Sequence, residues 1–403
     1  MGMLSQRIQN LQESKTLAAT DRARELKAEG KDIITLTVGE PDFNTPDFIL
    51  EYAQKAMKEG KGHHYTATSG ALEVREGICA YHQRKDGIAY QPNEVFMGNG
   101  AKMILYYLFQ TLINPGDEVI IPSPYWVSYE EQVRLAGGVP VLAPTDPANH
   151  FKVTVDVLEA CRTPQTKLIV LNTPSNPTGT VLSFEELEAI GNYAVSHDIL
   201  VIADEIYGRL VYNGTVFHSL ASVSPEVKAH TVVVNGVSKA FAMTGWRIGY
   251  CLAPREIIQG MNKLASQASG NPAGISQYAA LGAMTGPDEA IEKMRKTFEE
   301  RLNAGYQALM DIPGFELTQK PQGAFYLFPN CKKAAELMGY ACVDDLVLGI
   351  LEEAGVACVA GSAFGMSDYI RFSYATDQSL FLKAMQRIKT FIEKKIVEKE
   401  EKM

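Results

Sequence analysis

No stretch of the 403-residue sequence approaches the roughly 18 consecutive apolar residues that a membrane-spanning helix requires. Charged or polar residues interrupt every candidate run. A basic block is missing too: 38 lysines and arginines stand against 47 aspartates and glutamates, a formal net charge of -9. Nucleic acid and anionic membranes are therefore poor partners, and small molecules are better ones. The six cysteines, Cys79, Cys161, Cys251, Cys331, Cys342 and Cys358, never form a C-x-x-C pair. The common zinc and redox signatures are thus absent, and buried free thiols are expected. His63 and His64 read as surface residues at a helix exit, so no metal is expected. Near the N-terminus Leu4, Ile8 and Leu11 recur at helical spacing among polar residues, whereas a secretion signal needs a continuous apolar block. A cytoplasmic protein is expected. There is no internal repeat or low-complexity segment, only a charged tail, Glu398–Lys402, that reads as a solvated helix end.

What is present is an ordinary globular composition, 46% hydrophobic and 21% charged, in a chain long enough for two hydrophobic cores. From about residue 46 to 270 short β-rich runs alternate with helical patterns, which predicts an α/β domain built on a mostly parallel sheet. Expected strands are Glu94–Met97, Glu118–Ile121, Val139–Ala143, Lys167–Leu171, Ile199–Ala203, Thr231–Val234 and Ile248–Leu252. Several are continuous apolar runs, as strands buried on both faces should be. Thr45 and Pro46 offer a cap and a first turn for a helix whose apolar stripe is Ile49, Ala53, Ala56 and Met57 and whose stop is Gly60. Phe184–Val195 reads as another helix. Beyond about Glu289 come a long charged helix, a short strand near Phe325–Phe328, a helix from Val343, a strand near Tyr369–Phe372 and a final helix. This texture predicts a large α/β domain over 46–289 and a smaller α+β domain formed by 1–45 together with 290–403.

Four motifs carry chemistry. The first is Val232-Val233-Val234-Asn235-Gly236-Val237-Ser238-Lys239-Ala240-Phe241, a buried strand running into a small-residue turn with one lysine. A lone lysine after a strand is usually a solvated loop residue. Eight residues on, however, Arg247 stands within Thr244-Gly245-Trp246-Arg247-Ile248-Gly249, where a guanidinium beside glycine-permitted backbone suits a bidentate grip on phosphate. The second motif, Ile199-Leu200-Val201-Ile202-Ala203-Asp204-Glu205-Ile206-Tyr207, places Asp204 at the carboxyl end of an apolar strand, where open α/β sheets bind ligands. Such a carboxylate can face the ring nitrogen of pyridoxal phosphate and keep it protonated, or it can cap the next helix. Tyr207 can donate to the cofactor's ring oxygen or simply fill the core. The third, Asn172-Thr173-Pro174-Ser175-Asn176-Pro177-Thr178-Gly179, is a turn in which Asn176 can reach both that oxygen and a substrate carboxylate. The fourth, Gly98-Asn99-Gly100-Ala101-Lys102, opens a helix whose free amides can hold phosphate. Met103 occupies the place of a third glycine and no ribose-binding acid is evident, so a dinucleotide fingerprint is the weaker reading.

Taken together with Val38-Gly39-Glu40-Pro41-Asp42-Phe43, Ser123-Pro124-Tyr125-Trp126-Val127-Ser128-Tyr129 and Gly323-Ala324-Phe325-Tyr326, these motifs resemble those of the class I, fold-type I aminotransferases, particularly the bacterial aspartate aminotransferases of branch Ib. The resemblance runs from Leu4 to the last helix. It implies a fold-type I α/β architecture and a homodimer with two active sites at the subunit interface, using pyridoxal 5′-phosphate. It implies that Lys239 carries the cofactor as an internal Schiff base and shuttles the proton, that Asp204 faces the ring nitrogen, that Tyr207 and Asn176 bind the ring oxygen, and that Trp126 stacks on the ring. Gly100, Ala101, Ser238 and Arg247 bind the phosphate, and Tyr65 reaches it from the neighbouring subunit. Arg371 clamps the substrate α-carboxylate, although by itself it could be an edge-strand charge, and Gly39 lies in the segment that closes over the substrate. Lys102, beside the phosphate loop, and Thr16 serve a distal carboxylate. The implied reaction moves the amino group of aspartate to 2-oxoglutarate by ping-pong kinetics. Aromatic donors, alanine or prephenate are the alternatives, and family members active on prephenate often carry lysine where this chain has Gln12. The same fold also supports elimination, decarboxylation or condensation. A non-enzymatic regulator is disfavoured, since no basic DNA-binding module is added and the catalytic set is complete.

Overall fold

The valine-rich run Thr231–Gly236 forms the third of seven strands in one sheet, ordered Val95–Gly98, Gly249–Leu252, Thr231–Gly236, Leu200–Asp204, Thr166–Asn172, Glu118–Ser123, Val139–Pro144. The computed structural model describes residues 3–13 and 15–401, with the side chains of 15–17 left undescribed. All seven expected strands are present, shifted by a residue or two at their ends. Five run parallel side by side, from Thr231–Gly236 to Val139–Pro144, and Val95–Gly98 meets the sheet only through Gly249–Leu252, which is antiparallel to both its neighbours. The reversal has a local cause. Between Gly236 and Gly249, which pair directly, the twelve connecting residues carry only one helical turn, Thr244–Trp246, whereas a parallel return is usually made through a crossover helix packed on the sheet. Lys239 and Arg247 are consequently delivered to the same end of the sheet.

Helices cover both faces. Ala101–Leu112 buries Ile104, Leu105, Tyr107, Leu108 and Phe109, each such side chain contributing roughly 1.5–3 kcal/mol on leaving water. Phe184–Ser196 starts with a capping box in which the Ser183 hydroxyl accepts from the Glu186 amide and the Glu186 carboxylate accepts from the Ser183 amide. The helix Asp47–Lys58 buries Ile49, Ala53 and Ala56 as expected, but Met57 is exposed. Thr45 does not cap it. Its hydroxyl donates to the Ala242 carbonyl and accepts from Trp246 Nε1, so a tertiary contact takes the group that local geometry would have used.

The C-terminal region adds Glu289–Met310, a three-stranded antiparallel sheet of Val359–Ala360, Ile370–Ser373 and Tyr326–Leu327, the helix Val343–Glu353 and the final helix Gln378–Glu400. The N-terminal segment joins it: Ile34–Thr35 pairs in parallel with Val356–Ala357, and Ala23, Leu26 and Ile33 pack on Leu351 and Ala357. Ahead of this, Gln6–Gln9 is a single turn that leaves Leu4 and Ile8 exposed. All six cysteines are free, but burial is incomplete: Cys251, Cys331 and Cys358 are buried, Cys79 and Cys161 partly so, and Cys342 is exposed. His63 and His64 lie on the surface. Among the described residues no cluster could hold a metal and no helix is long and apolar enough to cross a membrane. The charged tail is the end of the last helix, and Lys402 lies outside the described residues.

Candidate active site

Three parallel strands end in polar residues at one level: Asn172, Asp204 and the Gly236 turn that leads to Lys239. Around these carboxyl ends lies a cavity of about 320 Å³, lined among others by Gly39, Ala101, Lys102, Trp126, Asn176, Asp204, Tyr207, Ser238, Lys239, Arg247 and Arg371. The sites expected from four separate motifs therefore share one space.

Lys239 Nζ donates to the Gly39 carbonyl at 2.6 Å. The residue keeps some surface in the open cavity, yet its amine sits deep enough that burial pulls its pKa from the ordinary 10.5 to about 8. Arg247 and Arg371 push the same way, and the Glu40 and Asp204 carboxylates oppose them. Asp204 is 4% exposed. Its Oδ2 accepts from the Tyr129 hydroxyl at 2.7 Å and its Oδ1 from the Ile206 amide at 3.2 Å. Burial raises this carboxyl to about 6, while those two donors and Lys239 hold it down. The adjacent Glu205 belongs to a different network, accepting from Ser219 Oγ and the Leu220 amide.

Arg371, 3% exposed, is aimed by two bonds, from Nη1 to Asn176 Oδ1 at 2.9 Å and from Nη2 to the Thr37 carbonyl at 2.7 Å. Tyr326 and Phe364 flank its guanidinium, with ring centroids at 4.5 and 4.8 Å, and its buried Nε has no partner among the described residues. A buried cation with an unused donor is suited to an anionic group entering the cavity. Asn176 is in turn positioned by Asn172, whose Oδ1 accepts the Asn176 amide at 2.7 Å and whose Nδ2 donates to the Asp204 carbonyl. Tyr207 shares a 2.9 Å hydrogen bond with Tyr326.

The start of the helix Ala101–Leu112 forms a cradle. Gly100 has φ of +86°, and a Cβ there would lie 2.5 Å from an Arg247 nitrogen. At Gly249 a Cβ would meet the Ala101 amide at 2.3 Å. Only glycine lets these backbones approach so closely. Arg247 Nη1 donates to the Thr244 carbonyl and Nη2 to that of Asn99, fixing its exposed guanidinium beside the helix amides, an arrangement made for a dianion. Lys102 Nζ lies 5.0 Å from the Trp126 ring centroid, and burial followed by Arg247 lowers its pKa.

One expected residue is not brought into this space. Tyr65 is 98% exposed and does not line the cavity. Thr16 falls on the helix Lys15–Ala28, but its side chain lies outside the described residues. Others were missed. Tyr129, Tyr326, Thr37 and Thr20 face the cavity, and of these only Tyr129 had a readable signal, standing three residues after Trp126 on one helical turn.

Residues 31–388 match the model of the family described as aminotransferase class I and II. The chain is 51% identical to an aspartate aminotransferase of Geobacillus stearothermophilus, over 97% of this chain and 99% of the relative. It is 49% identical to an asparagine–oxo-acid transaminase of Streptococcus mutans, over 98% and 100%. The solved aspartate aminotransferase from Thermus thermophilus with maleate aligns with a TM-score of 0.91 at 38% identity, covering 97% of this chain and 100% of that one.

Proposed function

The chain belongs to the class I and II aminotransferases, and from that premise we propose that it uses pyridoxal 5′-phosphate to move the amino group of aspartate to 2-oxoglutarate, giving oxaloacetate and glutamate. The observation that carries this reading is the convergence on one cavity of an amine of lowered pKa, a buried carboxylate and a buried guanidinium. The donor set fits the cofactor. Lys239 would hold it covalently, Asp204 would face its ring nitrogen, Tyr207 and Asn176 its ring oxygen, and Trp126 its face. The cradle of Gly100 and Ala101, with Ser238 and Arg247 around it, would take the phosphate. When bound, the cofactor supplies an electron-withdrawing ring that stabilises negative charge on the substrate's α-carbon.

The chain's own groups do the rest. Arg371 binds and orients the α-carboxylate through N–H donors that the protein leaves unused, and Asn176 keeps that guanidinium in place. Lys239, whose amine has the lowered pKa of a base, would take the proton from the substrate's α-carbon and hold it for return. Gly39, whose carbonyl Lys239 touches, lies in the segment that closes over the substrate and excludes water. The kinetics should be ping-pong, the first oxo acid leaving before the second one binds. Product analysis tests the reading. With aspartate and 2-oxoglutarate the loaded protein should form equal amounts of oxaloacetate and glutamate, whereas alanine, or fumarate and ammonia, formed without glutamate would mark a lyase.

Lys102 is assigned, with Thr16, to the distal carboxylate, and the dicarboxylate maleate in the Thermus relative supports that choice. Lys102 is solvent-accessible, so the low end of a charged hydrogen bond applies, about 1.5 kcal/mol or roughly tenfold. Lys102→Ala should cut kcat/KM about tenfold for aspartate and much less for alanine or phenylalanine. Equal losses for all donors would assign Lys102 to the phosphate site. Asparagine is a second candidate donor, favoured by the name of the Streptococcus relative.

The active form is a homodimer, with 46–289 as the large domain and 1–45 plus 290–403 as the small one. Support for assembly is the exposure of Met3, Leu4, Ile8 and Tyr65, apolar surface that a lone chain rarely leaves bare. Tyr65 would complete the partner's phosphate site. Tyr65→Ala and Arg247→Ala, each nearly inactive alone, should regain about one quarter of parental activity when mixed. Random pairing makes about half the dimers hybrid, and in each hybrid one of two sites is intact. A fully active monomer would contradict this. Six free cysteines fit a reducing compartment, and we place the enzyme in the cytoplasm.

A further inference from the structure

We propose that Tyr129 is a positioning residue that keeps Asp204 ionised and aimed into the site and ties it to Trp126, an inference that rests on reading the cavity as a pyridoxal-phosphate site. The geometry is that of a bracket. Tyr129 is 2% exposed, and its hydroxyl donates to Asp204 Oδ2 at 2.7 Å. Its ring stands edge-on to Trp126, with centroids 5.4 Å apart and planes at 82°, and its amide donates to the Trp126 carbonyl. One side chain thus connects the helical turn that carries the aromatic face with the strand end that carries the carboxylate.

A phenylalanine would fill the same volume, so the hydroxyl needs its own explanation. A buried carboxylate is costly unless donors satisfy both oxygens. Oδ1 has the Ile206 amide, which any residue at 206 except proline would supply. Oδ2 depends on Tyr129. The charged and titratable groups around Asp204 are few: Tyr129 from the helix Ser128–Leu135, Lys239 from the strand exit, Tyr207 from its own turn and Glu205 beside it. Removing the hydroxyl would leave one oxygen facing protein without a donor, and a proton would fill the gap.

The test compares the full-length, cofactor-free protein with Tyr129→Phe. The Asp204 carboxyl is titrated by carbon NMR, assigned through Asp204→Asn, and the dissociation constant of pyridoxal 5′-phosphate is measured by fluorescence at pH values on both sides of the Asp204 midpoint. In the variant the proton affinity of Asp204 should rise about tenfold, the effect of one hydrogen bond to a charged group. Cofactor affinity should fall about tenfold near and below that midpoint and converge on the parent's at alkaline pH. In an Asp204→Asn background the same substitution should change binding less than about twofold. An unchanged Asp204 titration would overturn the proposal. So would a binding loss that is equal at every pH and equally large in the Asp204→Asn background, because that is a packing defect. A parent protein that never takes up the cofactor would instead overturn the reading beneath the proposal.

Discussion

Lys239→Ala is expected to abolish transamination, lowering turnover by roughly a hundred- to ten-thousand-fold or more, since it removes both the covalent anchor and the general base. The size follows from the environment of the amine. At pH 7 a lysine at its ordinary 10.5 would be neutral in about one molecule in three thousand, whereas at about 8 the fraction is roughly one in ten. A group so tuned can both accept and return a proton near neutrality, which is the property a two-way shuttle needs. Among the described residues the amine hydrogen-bonds only to the Gly39 carbonyl, so its loss should leave the fold intact. The check is turnover at saturating aspartate together with a thermal melt. A variant that melts normally yet turns over at the parent rate would remove Lys239 from the chemistry.

Asp204→Ala comes second in size. Deleting one partner of a buried charge pair costs about 3–5 kcal/mol, which corresponds to a loss of roughly a hundred- to several-thousand-fold if the pair is made with the cofactor's ring nitrogen. The phosphate cradle and Arg247 are untouched, so some cofactor should remain bound while activity falls. Cofactor content by absorbance and turnover on the same sample separate the two effects. Near-normal turnover would exclude Asp204 from the mechanism. The pH dependence has a definite sign. Burial raises the Asp204 carboxyl to about 6 in the free protein, so cofactor uptake should weaken as pH falls through that value and hold steady above it.

Much of the architecture was legible because the central strands are apolar on both faces. Thr231–Gly236 and Leu200–Asp204 are runs that only a buried sheet accommodates. What periodicity does not encode is direction. Nothing in the run Gly249–Leu252 marks it as antiparallel, and that orientation goes with a connection that has no crossover helix, only the turn Thr244–Trp246. Pairs such as Ile34–Thr35 with Val356–Ala357 are two residues long, too short for any alternation to show. Thr45 misled for another reason, since a good local cap was recruited by Ala242 and Trp246 nearly 200 positions away. At the cavity, Lys239, Asp204 and Arg247 were visible because strand ends and turn chemistry locate them. Tyr326 and Thr37 were not, as a core tyrosine and a threonine in an extended segment carry no signal of which side chain they will meet. Tyr65 is the reverse case: a motif singles it out, and a single chain leaves it in solvent.

The most direct measurement is borohydride reduction of the protein loaded with pyridoxal 5′-phosphate, followed by digestion and mass mapping of the modified peptide. Reduction fixes the cofactor to whichever amine holds it. One modified residue per chain is expected, Lys239, in the tryptic peptide Ala229–Arg247. Attachment to Lys102 or to any other lysine, or no stable attachment at all, would contradict it.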